Sequence, residues 1–465
     1  MIEYRTVEIR QIEDYDQLLK ELPSQFLNCP YVSIWMDELK QRIGTKVTML
    51  LIEYPYYDSE YLSSYYRFYS KKFKNYGKKS CRIHFKANDR YMGYISLRPT
   101  THYLNFSKSY LEPSFLIQDN AYIMLSEFQA HIYGTDYNIL AFPWMNQQRD
   151  FSICAHVAVW EILKYYGNEH TGYRDITIGE LVEQIKESGQ RKLPSNGLNL
   201  QQIADIFRIY QATPIILKKE KGREKFFYKS LLTYVESGIP IVGALNSQEH
   251  AIAIIGHGMI DGDLLSKKNG LIETTDLCTS LIVNDDNYLP YSSIYYESYG
   301  KKDQYYYIDD IDFAVVPLYN RIHLEYDILY EKLDTYLKTE LLKEYGDMVV
   351  RVYLTSATSL KGKTSEDLEM NRLLKDTILR LEMPKFVWCI DLSTKEEYLE
   401  RKVSSKIIVD STSCEGDNIP FLLIQNRREI YYLSEDKWHK IIEAVEPYNM
   451  YRNNLKEKKI WIGKN

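Results

Sequence analysis

The chain has 465 residues, of which 45% are hydrophobic and 26% charged, and a formal net charge of −6. Such a length exceeds one ordinary core and predicts two or three domains. The modest acidic balance argues against general nucleic-acid or membrane-surface binding, and no apolar run reaches the roughly 18 residues of a spanning helix. The opening, MIEYRTVEIRQIEDYDQ, lacks the basic-then-apolar layout of a signal peptide, so the expected location is the cytosol.

Taken in chain order, the pattern separates three segments. Residues 1–140 read as an α+β accessory domain. KVTMLLIEY is an expected strand, residues 57–76 an expected helix, and CRIHFKA and YMGYISLRP are expected strands. Residues 141–318 begin with a nearly all-apolar helix, CAHVAVWEILKYY, with Asp150 and Ser152 available as caps and Gly167 as a stop. Thr177 and Glu180 have capping-box spacing ahead of LVEQIKES, which Gly189 closes. NLQQIADIFRIY and FFYKSLLTYVESG are further helices, with TPIIL a strand between them. The strands IPIVGAL, HAIAIIGHG, SLIVND, YYYIDD and FAVVPL follow. Helices first and an antiparallel sheet afterwards is an α+β layout. Residues 319–465 read as an α/β accessory domain. A long helix over 323–346 leads to strand MVVRVYLTS and a helix around LEMNRLLKDTILRLE. Strands KFVWCIDLS, SKIIVD, PFLLIQ and EIYYLS come next, with a last helix around WHKIIEAV.

Six cysteines, at 29, 81, 154, 278, 389 and 414, form no CxxC pair, so neither a disulfide framework nor a zinc site is expected. Cys154 differs from the others because it heads the buried helix. Unpaired N–H groups there carry partial positive charge, which favours thiolate, the attacking form. The plainer reading is a small residue filling the start of a helix. A thiolate acting on a carbonyl needs a donor for the oxyanion. Gln148, six residues earlier, can return an amide to the sulfur, and Gln147 is the alternative.

A nucleophilic cysteine also needs a base and a group to orient that base. Of nine histidines, His156 lies two positions along the same helix and points elsewhere, which suits a structural role. His250 opens a buried strand after a short polar turn. His257 is at the far end of that strand, about 20 Å away, so only one of the two can reach the thiol, and His250 is the better placed. The strand Leu281–Val283 then runs into Asn284, Asp285 and Asp286. Asp285, the first acid after the strand, is the candidate to accept the imidazole N–H. Asp286 and Asn284 remain open, as does a plain turn. The 43 tyrosines cluster at 54–69 and 288–307. A base-stacking platform is conceivable, but basic charge does not accompany it.

The set Gln148, Cys154 on a buried helix ending in Lys164-Tyr165-Tyr166-Gly167, His250 opening a strand after SGIPIVGAL, and Asp285 after IVN resembles the papain-like cysteine peptidase superfamily. Within it, the set is nearest to the bacterial bacteriocin-leader peptidases and their stand-alone relatives. The likeness spans residues 141–318 and neither flank. It implies a papain-like α+β domain, thiol-dependent cleavage of an amide bond, and a catalytic set of Cys154, His250, Asp285 and Gln148. It implies no metal or organic cofactor, and a protein or peptide as substrate, with no nucleic acid or membrane partner. Two departures concern the substrate: Ala155-His156 stand where the family has glycine after the cysteine, and Asp285-Asp286 where it has Asp-Pro. The transporter-linked leader cleavage of that family is not expected here. A deamidase, transamidase or isopeptidase would keep the same site, and a catalytically silent binding or regulatory module would keep only the fold. The flanking segments are expected to hold substrate or restrain the enzyme.

Overall fold

The computed structural model describes residues 2–27, 31–100, 105–185, 193–195, 197–299, 304–336, 346–414, 416–417 and 421–461. Cys29, His102 and Gly189 lie outside the described residues. The architecture is mixed α+β with several antiparallel sheets, the class expected. Strands β1 (Glu3–Glu8), β2 (Met49–Tyr56), β3 (Ser80–Ala87), β4 (Arg90–Leu97) and β5 (Tyr110–Leu111) form one antiparallel sheet in that order. Period-two alternation gives it two apolar faces. Leu50, Ile52, Ile83, Phe85 and Ile95 meet α1 (Tyr15–Glu21) and α2 (Val32–Arg42) through Leu18, Trp35 and Leu39. Leu51, Tyr94 and Tyr110 meet Phe128 and Ile132 of a hairpin, β7 (Ser126–Ile132) with β8 (Thr135–Ala141), which follows β6 (Ala121–Met124). The helix expected over 57–76 is α3 (Ser59–Arg67), capped by the Asp58 carboxylate on the N–H of Glu60 and Tyr61. It breaks into a 3-10 turn at Tyr69–Lys71. Tyr61, Tyr65, Tyr69 and Tyr76 make a small core of their own there.

The central segment supplies α4 (Cys154–Glu169), α5 (Ile178–Gln184), α6 (Leu200–Ile209), β9 (Thr213–Lys218), α7 (Glu224–Glu236), β10 (Ile241–Leu245) and β11 (His250–Gly258). It continues with β12 (Leu271–Glu273), β13 (Ser280–Asn284), β14 (Ser292–Tyr295) and β15 (Phe313–Leu318). Its antiparallel sheet runs β14-β13-β11-β10-β15-β9. Every residue of α4 from Cys154 to Tyr166 is buried, as a helix apolar on nearly all sides requires, and α4 packs across β11. The helix does not stop at Gly167 but continues to Glu169. Gly167 serves close approach instead, because a Cβ there would lie 3.1 Å from the backbone of Asp175. Thr177 and Glu180 form the expected capping box of α5.

In the third segment, β16 (Met348–Ser356), β17 (Phe386–Ser393), β19 (Ser405–Asp410), β20 (Phe421–Gln425), β21 (Glu429–Ser434) and β22 (Lys437–Ile442) form a sheet with β12 at its edge. β18 (Lys402–Val403) pairs with β23 (Tyr448–Asn449). Two expectations fail. WHKIIEAV is not a helix but β22, an edge strand paired with β21, since a short apolar run with adjacent β-branched residues fits either period. YYYIDD is not a strand but coil and a 3-10 turn at Ile308–Asp310, where Asp310 accepts the N–H of Tyr307 at 2.8 Å in place of a ladder bond. The helix Ala357–Glu366 was not anticipated, and residues 337–345 of the long helix lie outside the described residues.

The three sheets follow the three segments, yet strands cross between them. β6 pairs with β11 and with β24 (Leu455–Lys458), so the central sheet includes both flanks. β12 pairs with β16 in the other direction. One continuous apolar core runs from Val7 to Leu455.

Candidate active site

Cys154 is the first residue of α4, entered from an extended Ile153. Asp150 and Ser152 do not cap the helix, correcting the expectation. Asp150 pairs with Lys72 at 2.9 Å, and the Ser152 hydroxyl is buried without a partner. The imidazole of His156 reaches back and accepts the N–H of Ile153 at 3.4 Å. Burial holds His156 down to about 4, so it stays neutral and keeps an acceptor for that bond. His156 is buried and bonded within the start of its own helix.

The turn before the helix is tight. Gln148 N–H donates to Ser152 O at 2.7 Å, and Arg149 takes φ +50°. The Arg98 guanidinium donates to the carbonyls of Asn146 and Gln147, both at 3.1 Å. The same stretch is bound to the chain after β13: Asn284 Nδ2 donates to Pro143 O at 3.2 Å, Asn146 Nδ2 to Asp286 O at 2.6 Å, and Trp144 Nε1 to Asp285 O at 3.4 Å. The glutamine turn and the acid loop are therefore one rigid unit. The two glutamines differ in what they do. Gln147 gives its amide to Asn287 Oδ1 at 3.1 Å, while Gln148, 5% exposed, has neither amide atom hydrogen-bonded.

His250 is the first residue of β11, reached through Glu249 in the left-handed region at φ +50°. Its Nε2 lies 3.0 Å from Oδ1 of Asp285, off the line of an ideal N–H bond, and the Cys154 thiol is near enough to favour the charged ring. Cys154 is 8% exposed. Asp285 accepts from Asn287 N–H at 2.9 Å and Asn287 Nδ2 at 3.1 Å on Oδ1, and from the Tyr306 hydroxyl at 2.8 Å on Oδ2. Burial opposes ionisation of Asp285. The hydrogen bond and charge of His250, with the Asn287 and Tyr306 bonds, outweigh it and hold the carboxyl below its ordinary value. Burial likewise opposes the imidazolium of His250, but Asp285, Cys154 and the charge of Asp286 push it up to about 11.

Asp286 differs from its neighbour. Its nearer oxygen is 4.0 Å from His250 Nε2, and both carboxylate oxygens are buried without a hydrogen-bond partner. Burial and the Asp285 charge raise it. Glu161, one α4 face further on, is raised by burial and then by Asp286. Asn284 is engaged in the brace to Pro143 and Tyr291. One ligand atom each from His250, Asp285 and Asp286 lies within 4.8 Å of the others, the geometry in which a metal could be held.

The structure thus places Asp285 against His250 with Cys154 near enough to act on the ring, and sets Gln148 in the turn that leads into α4. It sets His257 apart, against Glu236 at 2.8 Å. Sequence reasoning missed Tyr306, Asn287 and Arg98. Only Asn287 had a signal, since Asp-x-Asn is a common self-bonded turn. A cavity of about 670 Å³ opens at the other end of α4 near His170, Tyr319 and Phe386 and holds none of these groups. No helix among the described residues is long and apolar enough to cross a membrane. No family model, no curated protein and no solved structure matches the chain.

Proposed function

We propose that this protein is a papain-like cysteine hydrolase, a peptidase in the first instance. The observation that carries the reading is that His250, 3.0 Å from the Asp285 carboxylate, is also close enough to Cys154 at the head of α4 for the thiol to raise its pKa. Cys154 Sγ attacks the acyl carbon with its proton already passed to His250, whose charged form Asp285 supports. The oxyanion receives the Cys154 backbone N–H and the unpartnered amide of Gln148. The intermediate collapses, His250 returns its proton to the leaving amine, and a thioester remains. Water, deprotonated by His250, attacks the thioester and frees the thiol. Asp285 keeps the ring oriented and supports its charged form. An antiparallel sheet whose histidine strand packs under the nucleophile helix is the layout this family uses. The five described cysteines are free thiols, in keeping with a reducing, cytosolic compartment. A deamidase, transamidase or isopeptidase would use the same residues, and trapping the acyl-enzyme and identifying the released group distinguishes them.

The test is iodoacetamide labelling near pH 6, located by mass spectrometry, in the wild type, Cys154→Ala and His250→Ala. Cys154 is expected to outpace the exposed Cys414 despite its burial, and His250→Ala to slow it by about a hundredfold. Labelling of Cys154 that is no faster than that of Cys414, or that ignores His250, would leave a silent papain-like module.

A further inference from the structure

We infer that His250, Asp285 and Asp286 form an inhibitory binding site for a divalent first-row cation of the zinc class. Binding itself rests on geometry, and its inhibitory effect rests on the hydrolase reading above.

Three observations carry it. His250 Nε2 is 3.0 Å from Asp285 Oδ1 and 4.0 Å from Asp286 Oδ1. Ligands held at about 2.0–2.1 Å in a tetrahedron stand about 3.3 Å apart, so these separations bracket what a bound ion needs. Asp286 is 3% exposed, and neither carboxylate oxygen has a hydrogen-bond partner. A buried carboxylate left so must be neutralised by a proton or a cation. Arg98, the nearby guanidinium, gives bonds to the Asn146 and Gln147 carbonyls. Asp285 is fixed by Asn287 and Tyr306, and such support orients carboxylates that ligate metals. One imidazole and two carboxylates make a nitrogen and oxygen donor set that suits zinc, cobalt or manganese and balances a double positive charge.

The effect on the thiol follows from imidazole chemistry. A metal on Nε2 takes that lone pair, and the ring's one remaining proton then sits on Nδ1. The nitrogen left for sulfur becomes a donor and can no longer accept the thiol proton. Sulfur is never a ligand, yet the base is lost. This differs from zinc captured between a cysteine and a histidine.

The experiment titrates metal-free full-length protein with zinc chloride by calorimetry. One equivalent is expected to bind the wild type and Cys154→Ala alike, and Asp286→Asn is expected to weaken binding at least about tenfold. No binding to the wild type overturns the inference and leaves Asp286 neutralised by a proton alone. Loss of binding in Cys154→Ala, or unchanged binding in Asp286→Asn, overturns it as well. Cobalt absorbance on the wild type covers the case in which Asp286→Asn does not fold: a sulfur-to-cobalt charge-transfer band contradicts the site, and its absence with cobalt bound supports it. Iodoacetamide labelling of Cys154 with and without zinc separates this inference from the hydrolase reading. Saturating zinc is expected to slow labelling at least tenfold. A Cys154 that is inert without metal, in a protein that still binds zinc through Asp286, sinks the hydrolase and leaves the metal site.

Discussion

Asp285 is the residue on which the site's polar contacts converge, and Tyr306 is its least expected partner. The hydroxyl bond on Oδ2 is 2.8 Å long and helps hold the carboxyl below its ordinary value. Tyr306→Phe removes one charge-assisted bond, worth about 1.5–3 kcal/mol. The carboxyl must then rise, so the acid limb of the pH–rate profile for Cys154 alkylation is expected to move to higher pH. The rate at neutral pH is expected to fall about tenfold. An acid limb that stays in place would make Tyr306 a bystander. The same contrast marks what the sequence could say about the site. Cys154, His250 and Asp285 each sit where one element begins or ends, and boundaries are legible from local pattern. Asp285 and Asp286 have the same local signature and could not be ranked. What separates them is Asn287 and a tyrosine from a loop 21 residues further on. Gln147 and Gln148 were equally indistinct until Asn287 took one of them.

Elements were legible where their periodicity was long and failed where partners decided. The buried helix α4 and the strands β10, β11 and β13 are all where the pattern put them. YYYIDD carries strand-forming residues, but its polar atoms are used locally: Asp309 accepts the N–H of Glu297 at 2.7 Å and Asp310 that of Tyr307. That competition with ladder bonds depends on which chains arrive nearby. The joining of β6 to β11 is a second case with no local signal beyond a glycine. A Cβ on Gly256 would fall 2.2 Å from the carbonyl oxygen of Tyr122, so the two backbones can pair only because nothing projects there. Gly256→Ala must push β6 away and is expected to cost about 1–3 kcal/mol in urea unfolding. Gly262→Ala is the control, because its Cβ would meet nothing within 4 Å, and it should stay within about 0.5 kcal/mol of wild type. Equal effects from the two would show that β6 docks loosely.

At the scale of the whole molecule, the central and third segments are locked by one charge cluster, and no stretch of sequence announces it. Glu236, at the end of α7, receives Arg351 Nε of β16 at 2.5 Å, Arg452 at 3.0 Å and His257 Nε2 of β11 at 2.8 Å. Arg351 also reaches Asp391 of β17 at 3.4 Å and donates to Tyr451 O at 2.7 Å. Burial opposes the Glu236 charge, yet the two guanidinium groups and the imidazole hold its carboxyl far below the ordinary 4.5. Burial opposes the His257 charge too, and contacts with Cys278 and Glu236 push it up to about 10. Glu236→Gln takes its charge from the buried Arg351 and His257 and the half-buried Arg452, a loss of about 3–5 kcal/mol by urea denaturation near neutral pH. The loss should itself depend on pH, with opposite signs on the two sides. The Glu236 contribution is complete above the unfolded value near 4.5 and disappears as pH falls below it. The His257 contribution is complete below its unfolded value near 6.5 and disappears as pH rises through about 10. The stability gap between wild type and Glu236→Gln is therefore expected to be widest between about pH 5 and 6.5 and to narrow on both sides. A gap that stays constant from pH 3 to pH 10 would mean that packing lost with the substitution, rather than charge, joins the third segment to the central one.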